Sequence, residues 1–209
     1  FHKLYKELLN FCSLELSAFY FDIRKDILYC DDIKSPQRKV CINLLGLTLD
    51  VLLKWFAPIL SFTTEEIFQI LNKDKKSSVH LESFPDIPIK WKNEKIFEKW
   101  EKLKIVRNVT NAAIEVKRSN KDIGSSLETD IEIYLSEEYL KLIKDINLSE
   151  FFITSNAKAT VMGNSNEFFK LEGIDDIAVS VKKAEGKKCS TCWKILKAPC
   201  KRNNCSLKN

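Results

Sequence analysis

Residues 1–124 repeat apolar side chains every three or four positions, which is the period of amphipathic helices. In the first such segment these positions are Leu4, Leu8, Phe11, Leu14, Ala18 and Phe21. The pattern predicts a helix from Phe1 to about Tyr29, ended by the polar pair that follows Cys30.

Three more helices are predicted downstream. Ser35 followed by Pro36 is typical of a helix start, because serine caps the first turn and proline fits its first position. This second helix runs towards Pro58 and is apolar nearly all round, so we expect it at the centre of a bundle. Thr63 precedes Glu66 by three residues, a capping-box spacing that predicts a third helix over about 64–71.

A connection with two prolines occupies residues 72–88, and a long fourth helix is predicted from about Trp91 to before Gly124. Four helices with apolar faces predict an antiparallel helical bundle over residues 1–124. The fold class is therefore expected to be mainly α.

After the bundle the apolar period changes to two. Ile131, Ile133 and Leu135 alternate with polar neighbours, which predicts a half-buried strand. YLKLIKDI predicts a short helix, and FFIT, KATVM and DIAVSV predict further strands. We expect a small α+β subdomain over residues 125–183, followed by a cysteine-rich module over 184–209.

Composition places the chain among globular proteins, with 209 residues, 44% of them hydrophobic and 30% charged. No apolar run is long enough for a membrane span, and the first residues lack the apolar core of a signal peptide. We therefore expect a cytoplasmic protein with no membrane partner. The chain starts at Phe1 inside a helical pattern, which predicts a piece of something longer.

Positive charge is concentrated at the end of the chain. The whole sequence carries +5, whereas residues 182–209 hold nine Lys or Arg against the single Glu185. A local excess of this size attracts phosphates by steering and counterion release, although basic termini are often simply solvated.

Seven cysteines fall into two groups. Cys12, Cys30 and Cys41 lie in apolar helical patterns, where a thiol usually behaves as a small buried hydrophobe. The other four form two close pairs, Cys189 with Cys192 and Cys200 with Cys205. Four thiolates at such spacing predict one structural Zn²⁺, with a pair of disulfides or idle thiols as the alternative.

The cysteine module is also rich in basic residues, with Lys187, Lys188, Lys194, Lys197, Lys201 and Arg202 beside the metal loops. Trp193 directly follows a predicted ligand. In a rigid metal-bound loop of this kind, the lysines can contact phosphates and the aromatic ring can stack on an unpaired base. Alternatively, Trp193 packs over the metal core, and the two roles can coexist.

An independent catalytic site is not predicted. The two histidines, His2 and His80, lie apart from any nucleophile or metal pattern, and no glycine-rich phosphate loop is present. We expect no catalytic residue in this chain.

Several motifs resemble the anticodon-binding domain and zinc module of bacterial-type isoleucyl-tRNA synthetases, which are class I enzymes. They are LSAFYFDIRKDILYCD, then Ser35 and Arg38, LLKWFAPILSFTTEEIF, SVHLESFP, IGSSLETDIEIYL and KCSTCW, in the family's order along nearly the whole chain. APILSFTTEEIF is similar to a segment shared with the valyl and leucyl enzymes, whereas FYFDIRKDILYCD, GSSLE and the cysteines favour isoleucyl.

The resemblance implies that the parent enzyme uses ATP to attach isoleucine to its tRNA, and that this region grips the anticodon stem and loop. ATP and Mg²⁺ then belong to a catalytic domain whose HIGH and KMSKS motifs are absent here, as is the editing domain. One departure concerns the second cysteine pair, which in the family usually reads C-x-x-C; Cys200 and Cys205 have four residues between them. Cys200 is the ligand with the least support from spacing.

Basic residues on predicted helix or knuckle surfaces, together with one aromatic residue, are the candidates for tRNA contact. They are Lys25, Arg38, Arg107, Lys117, Arg118 and Lys121 in the helical part, and Trp193, Lys194 and Arg202 in the cysteine module. For the two arginines Arg38 and Arg107 an internal ion pair is the alternative. For the whole chain the alternatives are a zinc-containing helical scaffold that binds a protein, and the corresponding region of a valyl enzyme.

Overall fold

A computed structural model describes residues 1–72, 77–163 and 168–206. The contacts within the chain divide it into two compact units. The first contains residues 1–28 and 33–92, and the second contains residues 29–32 and 93–209. Among the described residues, no helix is both long and apolar enough to cross a membrane.

The first unit begins with the predicted helix, which is continuous from His2 to Cys30. Its first part is α1 (His2–Asn10), its middle part (Phe11–Phe21) is π-helical, and its last part is α2 (Asp22–Cys30). The residues at both junctions keep right-handed helical backbone angles, so the helix is not interrupted.

The predicted start of the second helix is confirmed. α3 spans Pro36–Phe56, and the Ser35 hydroxyl accepts a hydrogen bond from the Arg38 backbone N–H at 3.4 Å. Its predicted central position is wrong, because only Cys41 and Leu53 are fully buried. Apolar side chains on its other faces, at Val40, Ile42, Leu44, Leu47 and Leu49, remain exposed.

α4 spans Ser61–Leu71 and starts earlier than predicted. The capping box was wrong, because the helix already includes Thr63, and the Thr64 hydroxyl instead donates to the carbonyl of Leu60 at 3.0 Å. Glu65 accepts from the Ser78 hydroxyl and the Val79 backbone N–H at 2.8 and 3.0 Å. These bonds fasten α4 to a 3₁₀ turn (Val79–Leu81) in the connection.

The second unit begins with the long predicted helix. α5 spans Glu94–Ser119, is capped by the Asn93 side chain, and ends before Gly124 as predicted. A further 3₁₀ turn, Ile89–Trp91, precedes it, so Trp91 lies outside the helix.

A four-stranded mixed sheet packs against α5. The strands are β1 (Thr129–Leu135), β2 (Asn156–Val161), β3 (Phe169–Leu171) and β4 (Ile174–Lys183), in the order β2-β1-β4-β3. β1 runs parallel to β2 and antiparallel to β4. The fully buried side chains of α5 and of the sheet include Leu103, Val106, Val109, Ile131, Ile133, Leu135, Ile177 and Val179.

Two short helices, α6 (Glu137–Ile143) and α7 (Leu148–Phe151), connect β1 to β2. The prediction of a strand at FFIT was wrong. The Asn147 side chain accepts a bond from the Glu150 backbone N–H and so caps α7, while Phe151 and Phe152 are both buried. A short apolar run that is buried on all sides looks the same in a helix as in a strand.

The predicted fold class is confirmed: the chain is mainly helical, with a small sheet and a cysteine cluster at its end. Its division at residues 124 and 183 stays a prediction.

Candidate metal centre and nucleic-acid interface

The first cysteine pair lies in a tight hairpin formed by β5 (Lys187–Lys188) and β6 (Ile195–Leu196). The Cys189 backbone N–H donates to the Lys194 carbonyl at 2.9 Å, and the Trp193 N–H donates to the Cys189 carbonyl at 3.0 Å. Trp193 has a φ of 63°, in the left-handed region that favours glycine. The turn therefore holds a bulky residue in a strained backbone conformation.

Of the second pair, Cys200 lies in the loop before the last short helix, α8 (Asn203–Ser206), and Cys205 lies within that helix. Folding brings the Sγ atoms of Cys189, Cys192, Cys200 and Cys205 within 4.8 Å of one another. Around a tetrahedral zinc, neighbouring sulfurs lie about 3.8 Å apart. The predicted four-cysteine cluster is confirmed as a group that could hold a metal ion, and Cys200 belongs to it despite its spacing.

In this structure the cysteines are thiols and are not joined in disulfides. Burial raises the pKa of the Cys192 thiol to about 11, although the Lys194 backbone N–H lowers it. Burial likewise raises the pKa of Cys205 well above its ordinary value. Metal ligation requires thiolates, so the binding of a metal releases protons and strengthens as pH rises.

The hairpin depends on a glycine. Gly186 has a φ of 138°, and an added Cβ would collide with the carbonyl of Leu196. We expect Gly186→Ala to weaken metal retention by at least tenfold, since backbone strain of this kind costs about 1–3 kcal/mol before the collision is relieved. Competition with a chromophoric chelator measures the change.

The matched control is Gly173→Ala in the turn between β3 and β4. Gly173 also has a positive φ, 80°, but an added Cβ there meets nothing within 4 Å. This variant should lose stability in the sheet while retaining metal as the unmodified chain does. Equal metal retention in both variants would contradict the role given to Gly186.

The residues just before β1 and β2 are hydrogen-bonded to the cysteine module. The Ile195 N–H donates to the Ser155 hydroxyl at 2.6 Å, and the Ala184 N–H donates to the Glu128 carbonyl at 2.8 Å. The Glu128 carboxylate accepts from the Gly124 N–H at 3.0 Å and lies 3.9 Å from the Lys188 ammonium. Glu128 thus contacts both the loop after α5 and the cysteine module.

The three predicted RNA-contact residues of this module differ from one another in exposure. Trp193 is 60% exposed, so its ring is accessible to a base. Lys194 is only 8% exposed. Arg202 is half-buried, with its Nε atom 3.9 Å from the Asp31 carboxylate. Within this group Trp193 has the most exposed side chain.

In the helical part, the exposed predicted residues form surface ion pairs. Lys25 pairs with Asp22 at 2.7 Å, Lys117 with Asp122 at 3.2 Å and Arg118 with Glu115 at 2.8 Å. Lys121, just after α5, is also exposed. Such surface pairs contribute little stability, so a phosphate can replace the carboxylate at small cost.

The structure gives the two remaining arginines internal bonds. Arg107 is 5% exposed, and its guanidinium donates to the Phe151 carbonyl. Arg38 is half-buried, and its Nε donates to the Leu28 carbonyl at 3.0 Å. Each guanidinium thus donates to a backbone carbonyl within its own unit. We therefore leave Arg107 out of the proposed interface, because its charge is enclosed.

Ser155, Glu128 and Gly186 were not among the residues predicted from the sequence. A glycine shortly before a cysteine pair was a usable indication of a tight turn. Nothing in the local pattern distinguishes Ser155 or Glu128, because their contacts are made at long range.

Comparison with known proteins decides the family. The family described as the anticodon-binding domain of tRNA ligase matches residues 1–135. This chain belongs to that family. It is 49% identical over 204 residues to the isoleucine–tRNA ligase of Pelagibacter ubique (strain HTCC1062), a match that covers 98% of this chain and 21% of that protein.

Other relatives of this anticodon-binding domain carry the same name. The isoleucine–tRNA ligase of Rhodopseudomonas palustris is 43% identical over 193 residues, which is 90% of this chain and 19% of the relative. That of Agrobacterium fabrum is 41% identical over 198 residues, which is 93% of this chain and 20% of the relative. The chain spans about a fifth of the length of these relatives. The two alternatives, a valyl enzyme and a protein-binding scaffold, are not favoured.

Proposed function

We propose that this chain is the tRNA-binding part of an isoleucine–tRNA ligase and that it grips the anticodon stem and loop of an isoleucine-type tRNA. The observation that carries the proposal is the family match over residues 1–135. The 49% identity that continues across the cysteine module extends this relation to the rest of the chain.

The ion held by the cysteine cluster is proposed to be one Zn²⁺. Four thiolates from two short loops suit its tetrahedral preference, and a site closed by four sulfurs leaves no position for water or substrate. Zinc there supplies folding energy and rigidity. Cys189, Cys192, Cys200 and Cys205 would hold it.

A rigid hairpin explains how this module can bind RNA. It presents the exposed ring of Trp193 at a turn, where an unpaired anticodon base can stack on it. Around the module, Lys187, Lys197 and Lys201 are exposed and supply positive charge for phosphates.

Basic residues after and within the last turn of α5 are proposed to contact the tRNA backbone. They are Lys117, Arg118 and Lys121, which lie in the same compact unit as the cysteine module. Lys25 and Arg38 in the first unit are proposed contacts as well. Lys194 and Arg202 are assigned supporting roles, since each is at least partly buried.

Replacing Trp193 tests the stacking role. We expect Trp193→Gly to weaken tRNA binding about tenfold, since stacking of one base on an aromatic side chain contributes roughly 1–3 kcal/mol. Trp193→Phe should retain much of the affinity, because it keeps a ring in the same place. Titration of the zinc-loaded chain with fluorescent tRNA measures both variants.

Glycine is chosen at this position because it relieves the strain of the positive φ, so Trp193→Gly should retain zinc and thermal stability. A variant that loses zinc together with tRNA affinity would instead indicate that the ring packs over the metal core. Unchanged tRNA affinity in a zinc-loaded variant would remove Trp193 from the interface.

The rest of the enzyme is proposed to carry out the chemistry. A catalytic region that binds ATP and Mg²⁺ would attach isoleucine to the tRNA that this region positions, in the cytoplasm. This chain alone should bind tRNA without charging it.

A further inference from the structure

One short segment belongs to a different compact unit from the residues just before and after it in sequence. Residues 29–32 belong to the compact unit that contains the cysteine cluster, whereas residues 1–28 and 33–92 belong to the other unit. The segment therefore packs within the unit that contains the cysteine cluster.

These contacts lead to the cysteine cluster itself. Cys30 is 5% exposed and packs in one buried cluster with Cys189, Cys192 and Cys205. The sequence predicted an ordinary buried thiol in a helical pattern here. Its surroundings are instead the sulfurs that are proposed to hold zinc.

The next residue contacts the loop between the second pair of cysteines. The Asn204 side-chain amide donates to the Asp31 carbonyl at 2.8 Å, across 173 positions of sequence. Arg202 Nε lies 3.9 Å from the Asp31 carboxylate, with side-chain exposures of 29% and 25%. The two side chains that contact Asp31 therefore both lie between Cys200 and Cys205, the pair that departs from the usual C-x-x-C spacing.

The lengthened loop thus has a structural use. A two-residue loop between Cys200 and Cys205 would lack two of the four positions that here include Arg202 and Asn204. With four residues, the loop places one charged and one amide side chain against Asp31 and still brings both sulfurs into the cluster.

We propose that residues 29–32 are an outer support of the metal centre: Cys30 covers the sulfurs, and Asp31 positions the Cys200–Cys205 loop through Asn204 and Arg202. This inference rests on the proposal that the cluster holds zinc. Outer contacts that orient ligands commonly change metal affinity as much as tenfold or more. Zinc and the segment should therefore stabilise each other.

The first test measures zinc release to a chelator from the full chain. Asn204→Ala removes one hydrogen bond and should speed release about fivefold, which corresponds to roughly 1 kcal/mol. The double variant Arg202→Gln/Asn204→Ala should release zinc about tenfold faster. Cys30→Ala should also speed release, whereas Cys41→Ala, which removes an equally buried thiol outside the cluster, should not.

Lys201→Gln is the matched control for charge, because it removes one positive charge from the same loop at an exposed position. If only the overall positive charge of the loop mattered, Lys201→Gln and Arg202→Gln would change the rate of zinc release equally. The proposal expects release from Lys201→Gln at the rate of the unmodified chain.

A second test asks whether zinc acts on the segment in return. Removing zinc should increase amide hydrogen exchange at residues 29–32 several-fold and leave the turn after α3, at residues 57–60, unchanged. If the unmodified chain binds zinc, two results would overturn this inference alone. One is a double variant that releases zinc at the same rate as Lys201→Gln. The other is amide exchange at residues 29–32 that does not change when zinc is removed. An unmodified chain that holds no zinc would overturn it together with the proposed metal centre.

Discussion

Cys189→Ser and Cys192→Ser are each expected to reduce bound zinc to well under one ion per chain and to unfold the cysteine module alone. Among the side chains that the structure describes from residue 184 to 205, the buried apolar ones are Ala184, Cys189, Cys192 and Cys205, so the module has almost no core without metal. In small sites of this kind, the free energy of metal binding is the free energy of folding.

Metal analysis of protein purified without chelator gives the zinc content, and circular dichroism gives the melting of the helices. The helical transition should remain largely intact, because the helices α1 to α5 lie outside the module. Cys12→Ser is the control, since Cys12 is half-buried in the first helix and outside the cluster. Loss of all helicity together with zinc would contradict this organisation.

Arg107→Met should destabilise the second unit by about 2–3 kcal/mol, because it removes the charged donor that Arg107 provides to the buried carbonyl of Phe151. The guanidinium also lies over the Phe151 ring, 5.7 Å from its centre, and methionine retains only the packing volume. Chemical denaturation followed by tryptophan fluorescence measures the change, since Trp100 contacts the same ring.

Arg118→Met serves as the comparison for Arg107→Met. Arg118 is exposed and pairs with Glu115 on the surface, so its loss should change stability little. At a temperature where both variants are folded, Arg118→Met should weaken tRNA binding and Arg107→Met should not. The reverse result would return Arg107 to the interface and remove Arg118.

Local patterns predicted the parts of the fold whose causes are local. Ser35 and Pro36 start α3 through their own backbone and side-chain chemistry, and the alternation around Ile131 and Ile133 reflects the two faces of one strand. The cysteine cluster was predictable for the same reason, since each short loop places two sulfurs close together.

Predictions failed where distant residues decide the outcome. FFIT is apolar enough for a strand, but the Asn147 cap makes Phe151 the last residue of α7, and a buried turn follows at Phe152. Arg107 looks like any helical arginine in sequence, and only the position of the Phe151 carbonyl shows that its charge is internal. The contact of Asp31 with Asn204 joins residues that no local pattern relates.

The central claim, that this chain reads the anticodon region of an isoleucine-type tRNA, is tested most directly by a binding titration. The zinc-loaded chain is titrated with that tRNA and with a tRNA of mismatched anticodon, at two salt concentrations. We expect tighter binding to the matched tRNA, and affinity that falls with salt by a logarithmic slope of about −0.7 to −0.9 for each phosphate contacted. Equal binding to both tRNAs, or no binding by a folded and zinc-loaded chain, would contradict the claim.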